Sequence, residues 1–557
     1  MAAVFLKKGQ KNMIRKIFHS KAKSITSGAI IIATASLASR VLGVLRDRIL
    51  ASEFGAGIEL DTYYAAFRIP DTIYNLLVLG AISAGFIPVF LDSLSKDGKK
   101  KTWVMVNSMV NVMLVALTLL SIVLAIFTPE FISWITPGFS AEQMSMTVGL
   151  TRIMFLSPIL LGLSSIWAGI LQSFKQFFIY SLAPIFYNVG IIIGALYLVP
   201  WFGIYGLGIG VVLGACLHMV VQLPAVYESG YRYQWIIDLK DVNLRKIFFL
   251  MVPRTLSLAV NQINLFIVTF FGSLLSVGSI AIFNLANNLQ SFPLGIFGIS
   301  LAISAFPTLS QYASKQNNRQ FIKTFSQTTR LILFFIIPAS ALLIVLRAQI
   351  VRVIFGAGVF GWEDTINTAD ALAVFSLSLF AQALIPLISR GFYAFHNTKT
   401  PFYIGTFSVI INIALALYLT TNDFILFNFS PVVGLVFAFS ISQIINFILL
   451  WIMLRIKIGG LDESELLSSL FKTSIATVVM ALTAHWLKYI IEPLTGTDTF
   501  FGILTQGFVS GFIGILVFFL MSMFLRSREM EYFVASLKRR LFRDSEPVVE
   551  AIEEAEK

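Results

Sequence analysis

The chain contains one cysteine, Cys216, among 557 residues, which excludes a disulfide framework and a cysteine-based metal centre. Cys216 lies in an apolar run and reads as a small buried hydrophobe. Histidine is nearly as scarce, with four copies, and no His, Cys and acidic residues fall together at metal-ligand spacing. His218, inside an apolar stretch, reads as a satisfied core histidine rather than a proton carrier. Charge is thin: 13% of residues are Asp, Glu, Lys or Arg, against about 25% in a soluble domain. The short alternating segments of a membrane β-barrel are missing. So are a Walker loop, a nucleophile elbow and a kinase signature, and the sequence gives no reason to expect an enzyme or a bound cofactor.

What remains is overwhelmingly apolar, with 57% hydrophobic residues. Runs of about 20 such residues, the span of a hydrocarbon core as helix, recur along nearly the whole length. The expected fold is an all-α polytopic membrane protein of about fourteen spans, near 28–50, 62–92, 103–127, 147–171, 179–199, 205–227, 247–271, 278–306, 328–346, 369–393, 401–420, 431–454, 470–491 and 500–524.

The formal charge of +12 suggests nucleic acid until the charges are placed. Lys7, Lys8, Lys11, Arg15 and Lys16 sit in an N-terminal arm, Lys96 and Lys99 to Lys101 after the second span, and Arg526, Arg528 and Lys538 to Arg540 after the last. The intervening loops at 128–146, 200–204, 272–277 and 421–430 hold no Lys or Arg. Basic residues kept on one side read as the cytoplasmic face, so both termini are expected inside and no nucleic-acid partner is expected. The N-terminal segment is too long and too charged to read as a cleaved signal peptide.

Two stretches repeat. The segment from Gly80 through Pro88 to Lys96 resembles that from Gly298 through Pro307 to Lys315. A second, with Gly169, Lys175, Asn188 and Ala195-Leu196-Tyr197-Leu198, resembles Gly391, Lys399, Asn412 and Ala416-Leu417-Tyr418-Leu419. The offset of about 219–224 residues covers six spans, an even number, so the halves keep one orientation and form parallel repeats. The implied organisation is a basic arm at 1–27, a first six-helix lobe at 28–227, a linker at 228–246, a second lobe at 247–454, two further helices at 470–524 and a tail at 525–557. The tail opens as an interfacial amphipathic helix through Met530 and Phe533. Two facing lobes leave a central cavity lined by spans 1 and 7.

Span 1 is the anomaly, because it carries Arg40, Arg46, Asp47 and Arg48. A charge at bilayer depth costs roughly 2.5–3.5 kcal/mol on insertion scales, so such residues face protein or a wet cavity and point to function. Span 7 has Arg254 after Pro253 in the equivalent helix. Arginine binds phosphate through a fixed fork and stays charged, so a cavity with several arginines suits a pyrophosphate. Arg48, at the helix end, reads as snorkelling to headgroups. Asp61 reads equally as an N-cap of span 2 and as a gating or substrate group. Gly55 and Gly57 permit a mobile turn between spans 1 and 2. Asn412 has no carboxylate neighbour in span 11, so no coupling-ion site is expected there.

These residues carry a resemblance. Ser39-Arg40-Val41-Leu42-Gly43 with Arg46-Asp47, Phe54-Gly55-Ala56-Gly57, Asp61 with Ala65-Ala66-Phe67-Arg68-Ile69-Pro70, and Gly80-Ala81 with Phe86 and Pro88 resemble the signature of the MurJ (MviN) family, as does Pro253-Arg254 to Asn264. The resemblance implies a flippase that carries lipid II, the undecaprenyl-pyrophosphate-linked peptidoglycan precursor, across the bacterial cytoplasmic membrane by alternating access. It implies fourteen helices, a cationic cavity, and a groove for the lipid tail formed by spans 13 and 14. It places the pyrophosphate on Arg40, Arg46 and Arg254, with Arg68 as a substitute cation if it turns inward, Asp47 as a structural or gating partner, and Asp61 in span 2. The lipid bilayer is the medium, a monomer is expected, and contact with the cell-wall synthesis machinery is a possible association. The sequence departs from the family where a basic pair is usual, at Tyr74 and Asn75, where an acid is frequent, at Leu79, and where an Arg-Gly pair is typical, at Ala357-Gly358. The alternatives are a polysaccharide-unit flippase, which also needs cations for a pyrophosphate, a drug or cation antiporter, which favours acidic cavities, and an inactive envelope scaffold.

Overall fold

The computed structural model describes residues 25–79, 85–421, 430–496 and 499–542. The N-terminal arm, the 80–83 part of the repeat, most of the 421–430 loop and the acidic end of the tail lie outside them. Among the described residues there are helices and no strands. At bilayer depth the backbone has no water to bond, so helices satisfy their own N–H and C=O groups.

In chain order the helices are α1 (Ile25–Phe54), α2 (Ile58–Ile73), α3 (Ile87–Lys96), α4 (Gly98–Ile126), α5 (Thr128–Ile135), α6 (Ala141–Met154), α7 (Leu156–Ser173), α8 (Phe177–Ile193), α9 (Val199–Phe202), α10 (Tyr205–Val220), α11 (Leu223–Glu228) and α12 (Val242–Ser273). They continue as α13 (Ser279–Pro293), α14 (Ser300–Ser314), α15 (Asn318–Val345), α16 (Arg347–Phe355), α17 (Trp362–Leu377), α18 (Leu379–Ala394), α19 (Lys399–Thr421), α20 (Pro431–Ile458), α21 (Glu463–Thr495), α22 (Phe500–Phe524) and α23 (Arg528–Phe542). Ten helices among the described residues are long and apolar enough to cross a membrane, or eleven when α17 and α18, bent by 46°, count as one span. The predicted stretches at 28–50, 62–92 and 247–271 are helical where described but are not among those ten or eleven. They are the ones that hold Arg40, Arg46 and Asp47, then Asp61, Arg68 and Asp71, then Arg254.

Two local irregularities recur near the sequence offset. A π-helical turn follows α2 at Tyr74–Leu79 and another follows α13 at Leu294–Ile299, 220 residues apart. Helices α7 and α18 end in the same turn, with Lys175 at φ 59° and His396 at φ 55°. In each, two N–H groups fold back on the last carbonyls: Lys175 to Gln172 and Gln176 to Leu171, His396 to Tyr393 and Asn397 to Phe392. That is a Schellman cap, and it holds a non-glycine residue in the left-handed region both times. A third π turn, at Gly194–Leu198, has no counterpart in the regular helix α19, and the same cap also ends α14 at Gln316 and α22 at Arg526, so the match at this offset is a local one.

The chain divides into two compact units, residues 1–281 with 357–361, and 282–356 with 362–557. These are units of packing, so α12 falls in the first although the repeat aligns its span with the second half. In the first unit a glycine seam sets α8 against α10. Gly206, Gly210 and Gly214 share one face of α10, and a Cβ on Gly210 would stand 2.5 Å from the Gly194 Cα. A Cβ on Gly194 would stand 2.6 Å from the Gly210 Cα. Small residues every fourth position let backbones approach where lipid supplies no hydrophobic drive.

In the second unit an ionic cluster joins three helices. Arg330 of α15, 5% exposed, lies 3.5 Å from Glu465 of α21 and 3.5 Å from Glu529 of α23. Arg528 bonds Glu465 at 2.8 Å, and Ser527 donates to Glu529 at 2.8 Å. Beside them Met530 is buried and Phe533 stacks on Phe519 at 5.6 Å. The amphipathic start of the tail is therefore a helix whose apolar side packs on its own unit.

Two outcomes follow for the purified protein in detergent. Gly210→Leu overpacks the α8–α10 seam and lowers stability by about 1–3 kcal/mol, read as a lower midpoint of thermal unfolding. Arg330→Ala strands a buried Glu529 and costs about 3–5 kcal/mol, whereas the Arg330→Met, Glu529→Leu double variant recovers most of that loss.

Candidate functional site

The site grows from helix α1. Arg40 lies 15 residues from its start and 14 from its end, roughly 21–23 Å from either at 1.5 Å per residue. Its side chain is exposed and lines a cleft of about 300 Å³ with Ser36, Ser39, Tyr180, Ser181 and Pro184. One arginine with three serine hydroxyls and a tyrosine, set half-way along α1, is a donor-rich surface suited to an anion.

Arg46 is placed differently. Its Nε and Nη2 donate to Asp47 Oδ1 at 2.9 and 2.7 Å, and its Nη1 donates to Asn188 Oδ1 at 3.0 Å. The Asn188 amide donates in turn to the Pro184 carbonyl at 3.1 Å and the Ser39 carbonyl at 3.4 Å. Asp47 is 4% exposed and the Arg46 side chain 23%. The pair is locally neutral, and Asn188 of α8 fixes where the guanidinium points. Tyr63 and Tyr64 of α2 and Tyr187 of α8 are within electrostatic reach of Arg46. Asn188 was legible only as an anchor of the repeat.

Arg68 turns away from this group. It is 9% exposed and its Nε donates to Thr269 Oγ1 of α12 at 2.6 Å. One turn on, Asn75 donates to Asp71 Oδ2 at 2.8 Å and to the Asp71 carbonyl at 2.9 Å. Tyr74 and Ser165 hydroxyls meet at 3.3 Å, and Thr72 donates to Gln262 Oε1 at 3.3 Å. The positions of Tyr74 and Asn75, where the resemblance implies a basic pair, thus hold neutral groups bonded to their own surroundings. Sequence reasoning named Gln262 only within the stretch from Pro253 to Asn264 and passed over Asp71 and Thr269, of which the charge of Asp71 in an apolar run was the one signal. Arg254 falls in α12, and its side chain lies outside the described residues.

Asp61 is not the N-cap of its own helix. Gly57 holds that position, and the Asp61 carboxylate accepts N–H groups of Gly278 and Ala281 at 2.7 Å each. It caps the start of α13, where the helix dipole and unpaired N–H groups favour an anion. The turn between α1 and α2 is packed rather than open. Gly55 takes φ 61°, a conformation glycine adopts at low cost. Gly57 is extended, with φ −116°. The segment 357–361 docks beside the turn, with the Val359 N–H donating to the Ser52 carbonyl at 2.9 Å. Gly358, at φ 56°, leaves no room for a Cβ against that carbonyl. Gly278 is likewise flush with the Ala56 backbone. Among the described residues no three His, Cys, Asp or Glu side chains gather as a metal site would need.

Comparison with known proteins bears on the chain as a whole. The family model described as lipid II flippase MurJ matches residues 50–505. A probable lipid II flippase MurJ of Buchnera aphidicola subsp. Acyrthosiphon pisum is 29% identical over 507 residues, covering 89% of this chain and 97% of the relative. One of Vibrio cholerae is 31% identical over 442 residues, covering 77% and 82%. A solved structure of the lipid II flippase MurJ in an inward closed conformation is similar with a TM-score of 0.70 and 26% identity, over 89% of this chain and 99% of that one. An inward-facing multidrug resistance MATE family transporter of the MOP superfamily shares the fold, with a TM-score of 0.64 at 14% identity over 76% of this chain and 96% of that one. On the family match and the length of these alignments, the chain belongs to the MurJ family.

Proposed function

We propose that this protein is a flippase for lipid II, moving the undecaprenyl-pyrophosphate-linked precursor from the inner to the outer leaflet of the bacterial cytoplasmic membrane by alternating access. On this reading the chain crosses fourteen times with both termini in the cytoplasm, acts as a monomer without a cofactor, and is a transporter rather than an enzyme. The observation that carries it is Arg40, an exposed arginine half-way along the 30-residue helix α1, in a cleft lined by hydroxyl groups.

A pyrophosphate diester carries two negative charges. Arg40 meets it first, because its guanidinium faces the cleft, while Arg46 is held against Asp47 and Asn188. Arg46 then acts as a second donor whose direction is preset, and Asp47 limits how tightly the anion is held, which a carrier needs in order to release its cargo. Arg254 supplies the counterpart cation from the second repeat. The polyprenyl tail stays in the bilayer, and spans 13 and 14 offer it a groove. A polysaccharide-unit flippase would use the same cations, so the head group is decided by experiment.

Two results test this. Arg40→Ala lowers lipid II binding about 10- to 100-fold, the worth of roughly 1.5–3 kcal/mol for a charged hydrogen bond, measured by titration in detergent. Arg40→Lys restores part of it, because the charge survives and the bidentate fork does not. In cells depleted of their own lipid II flippase the parent chain restores growth and the Arg40→Ala, Arg46→Ala, Arg254→Ala triple variant does not. Full rescue by the triple variant at normal abundance would overturn the mechanism. Failure of the parent together with relief of a stalled polysaccharide-unit lipid would move the reading to that substrate.

A further inference from the structure

Between α11 and α12 the chain runs extended along α4, and the side chains of α4 are arranged to receive it. Asn107 donates to the Arg232 carbonyl at 3.0 Å and accepts the Gln234 N–H at 2.9 Å. Asn111 donates to the carbonyls of Gln234 and Ile236 at 2.9 Å each. Ser108 accepts the Asp238 N–H at 3.1 Å. The strap is anchored at its start by Tyr231, 1% exposed, whose hydroxyl donates to Asn107 at 2.9 Å. Its ring lies 5.8 Å from that of Trp103 and 5.0 Å from that of Trp167. Asn107 and Asn111 stand about 14 and 20 Å along α4 from Gly98, at 1.5 Å per residue.

Three polar side chains within two turns of an apolar spanning helix need a reason. Here they satisfy an extended backbone that is not in a helix, which is what such a backbone requires where water is scarce. Its backbone groups at Arg232, Gln234, Ile236 and Asp238 bond α4, while most of its side chains, Arg232, Gln234 and Asp238 included, are exposed. Tyr233, Trp235, Ile237 and Leu239 point outward, 47%, 63%, 45% and 59% exposed. Helix α12 continues the apolar surface with Val242 and Phe249, 78% exposed each. Exposed Lys240 and Lys246 border it, and Asn243 bonds Asp97 at 3.1 Å, which brings in the lysine-rich start of α4.

We propose that the segment 231–238 is a lipid-binding strap. Its Tyr233, Trp235 and Ile237 sit in the interfacial zone of the bilayer, and Lys240 and Lys246 rest on anionic phospholipid headgroups. An aromatic and aliphatic row beside basic residues is the composition of a membrane interface. On the topology proposed above the leaflet is the inner one, and the inference is independent of what the protein carries.

The test uses spin-labelled full-length protein in nanodiscs of phosphatidylethanolamine and phosphatidylglycerol. Cys216→Ser removes the native thiol, and single cysteines replace Tyr233, Trp235 or Ile237, each checked for parental thermal unfolding so that one misfolded variant leaves two others. Leu119→Cys, 59% exposed on α4, is the lipid reference, and Ala141→Cys is the aqueous one. Strap labels should be accessible to oxygen and shielded from a water-soluble nickel chelate, as at Leu119. Access to nickel, as at Ala141, overturns the proposal in favour of a solvated loop. Exclusion of both reagents overturns it in favour of a covering protein. Lys240→Gln and Lys246→Gln should each lower the preference for co-purified phosphatidylglycerol over phosphatidylethanolamine by roughly fivefold, and an unchanged preference removes the headgroup part of the proposal.

Discussion

Everything in the first unit depends on one constraint: a polar group at bilayer depth must find its partner inside the protein. Helix α1 brings two charges, Arg46 and Asp47, next to each other in the chain, and their side chains close on one another. The remaining direction of the guanidinium is fixed by Asn188 from α8. That bond places α8 beside α1. The glycine seam then sets α8 against α10 at a distance that side chains would forbid. The charged helix therefore helps to specify its own surroundings, rather than being tolerated by them.

The same constraint divides the work among charges. Arg46 is neutralised by Asp47, Arg68 is committed to Thr269, and Asp61 is spent on the N–H groups that open α13. Arg40 differs, because its side chain is exposed to a cleft. A binding arginine has to leave water or a neighbour to meet an anion, and an arginine already facing a cleft loses least in doing so. Asp61 plays a structural part of a related kind. By capping a helix remote in sequence, it ties the α1–α2 turn to the start of α13, and Gly278 allows the backbones to touch there.

How much of this was legible in the sequence follows from range. Hydropathy located the ten or eleven apolar spans among the described residues, because twenty apolar residues in a row need no partner to declare themselves. The duplication was a signal of the sequence, and the π turns at Tyr74–Leu79 and Leu294–Ile299 fall at its offset. The direction of each charged side chain was not. Arg46 and Arg68 look alike as letters, yet one is held by an asparagine 142 positions on and the other by a threonine 201 positions on. Asp61 looked like a local cap because capping rules are local, whereas its partners lie 217 and 220 residues away. The glycines of the α1–α2 turn suggested mobility. Gly55 is required by its backbone angle, and the neighbouring glycines are required by close approach.

The departures at Tyr74 and Asn75 gain a physical sense from these contacts. In place of two cations, α2 presents an amide bonded to Asp71 and a phenol that meets Ser165. Asn75 is neutral and leaves the Asp71 charge in place, and the cation within electrostatic reach of that carboxylate is Arg68. Arg68 does not make up the difference, since its Nε is turned to α12. Helix α2 is thereby a surface of hydroxyl, amide and aromatic groups, better matched to neutral polar parts of a cargo than to a phosphate. On the proposed function, recognition of negative charge in this unit falls to α1, and within α1 to Arg40, whose side chain opens onto the cleft.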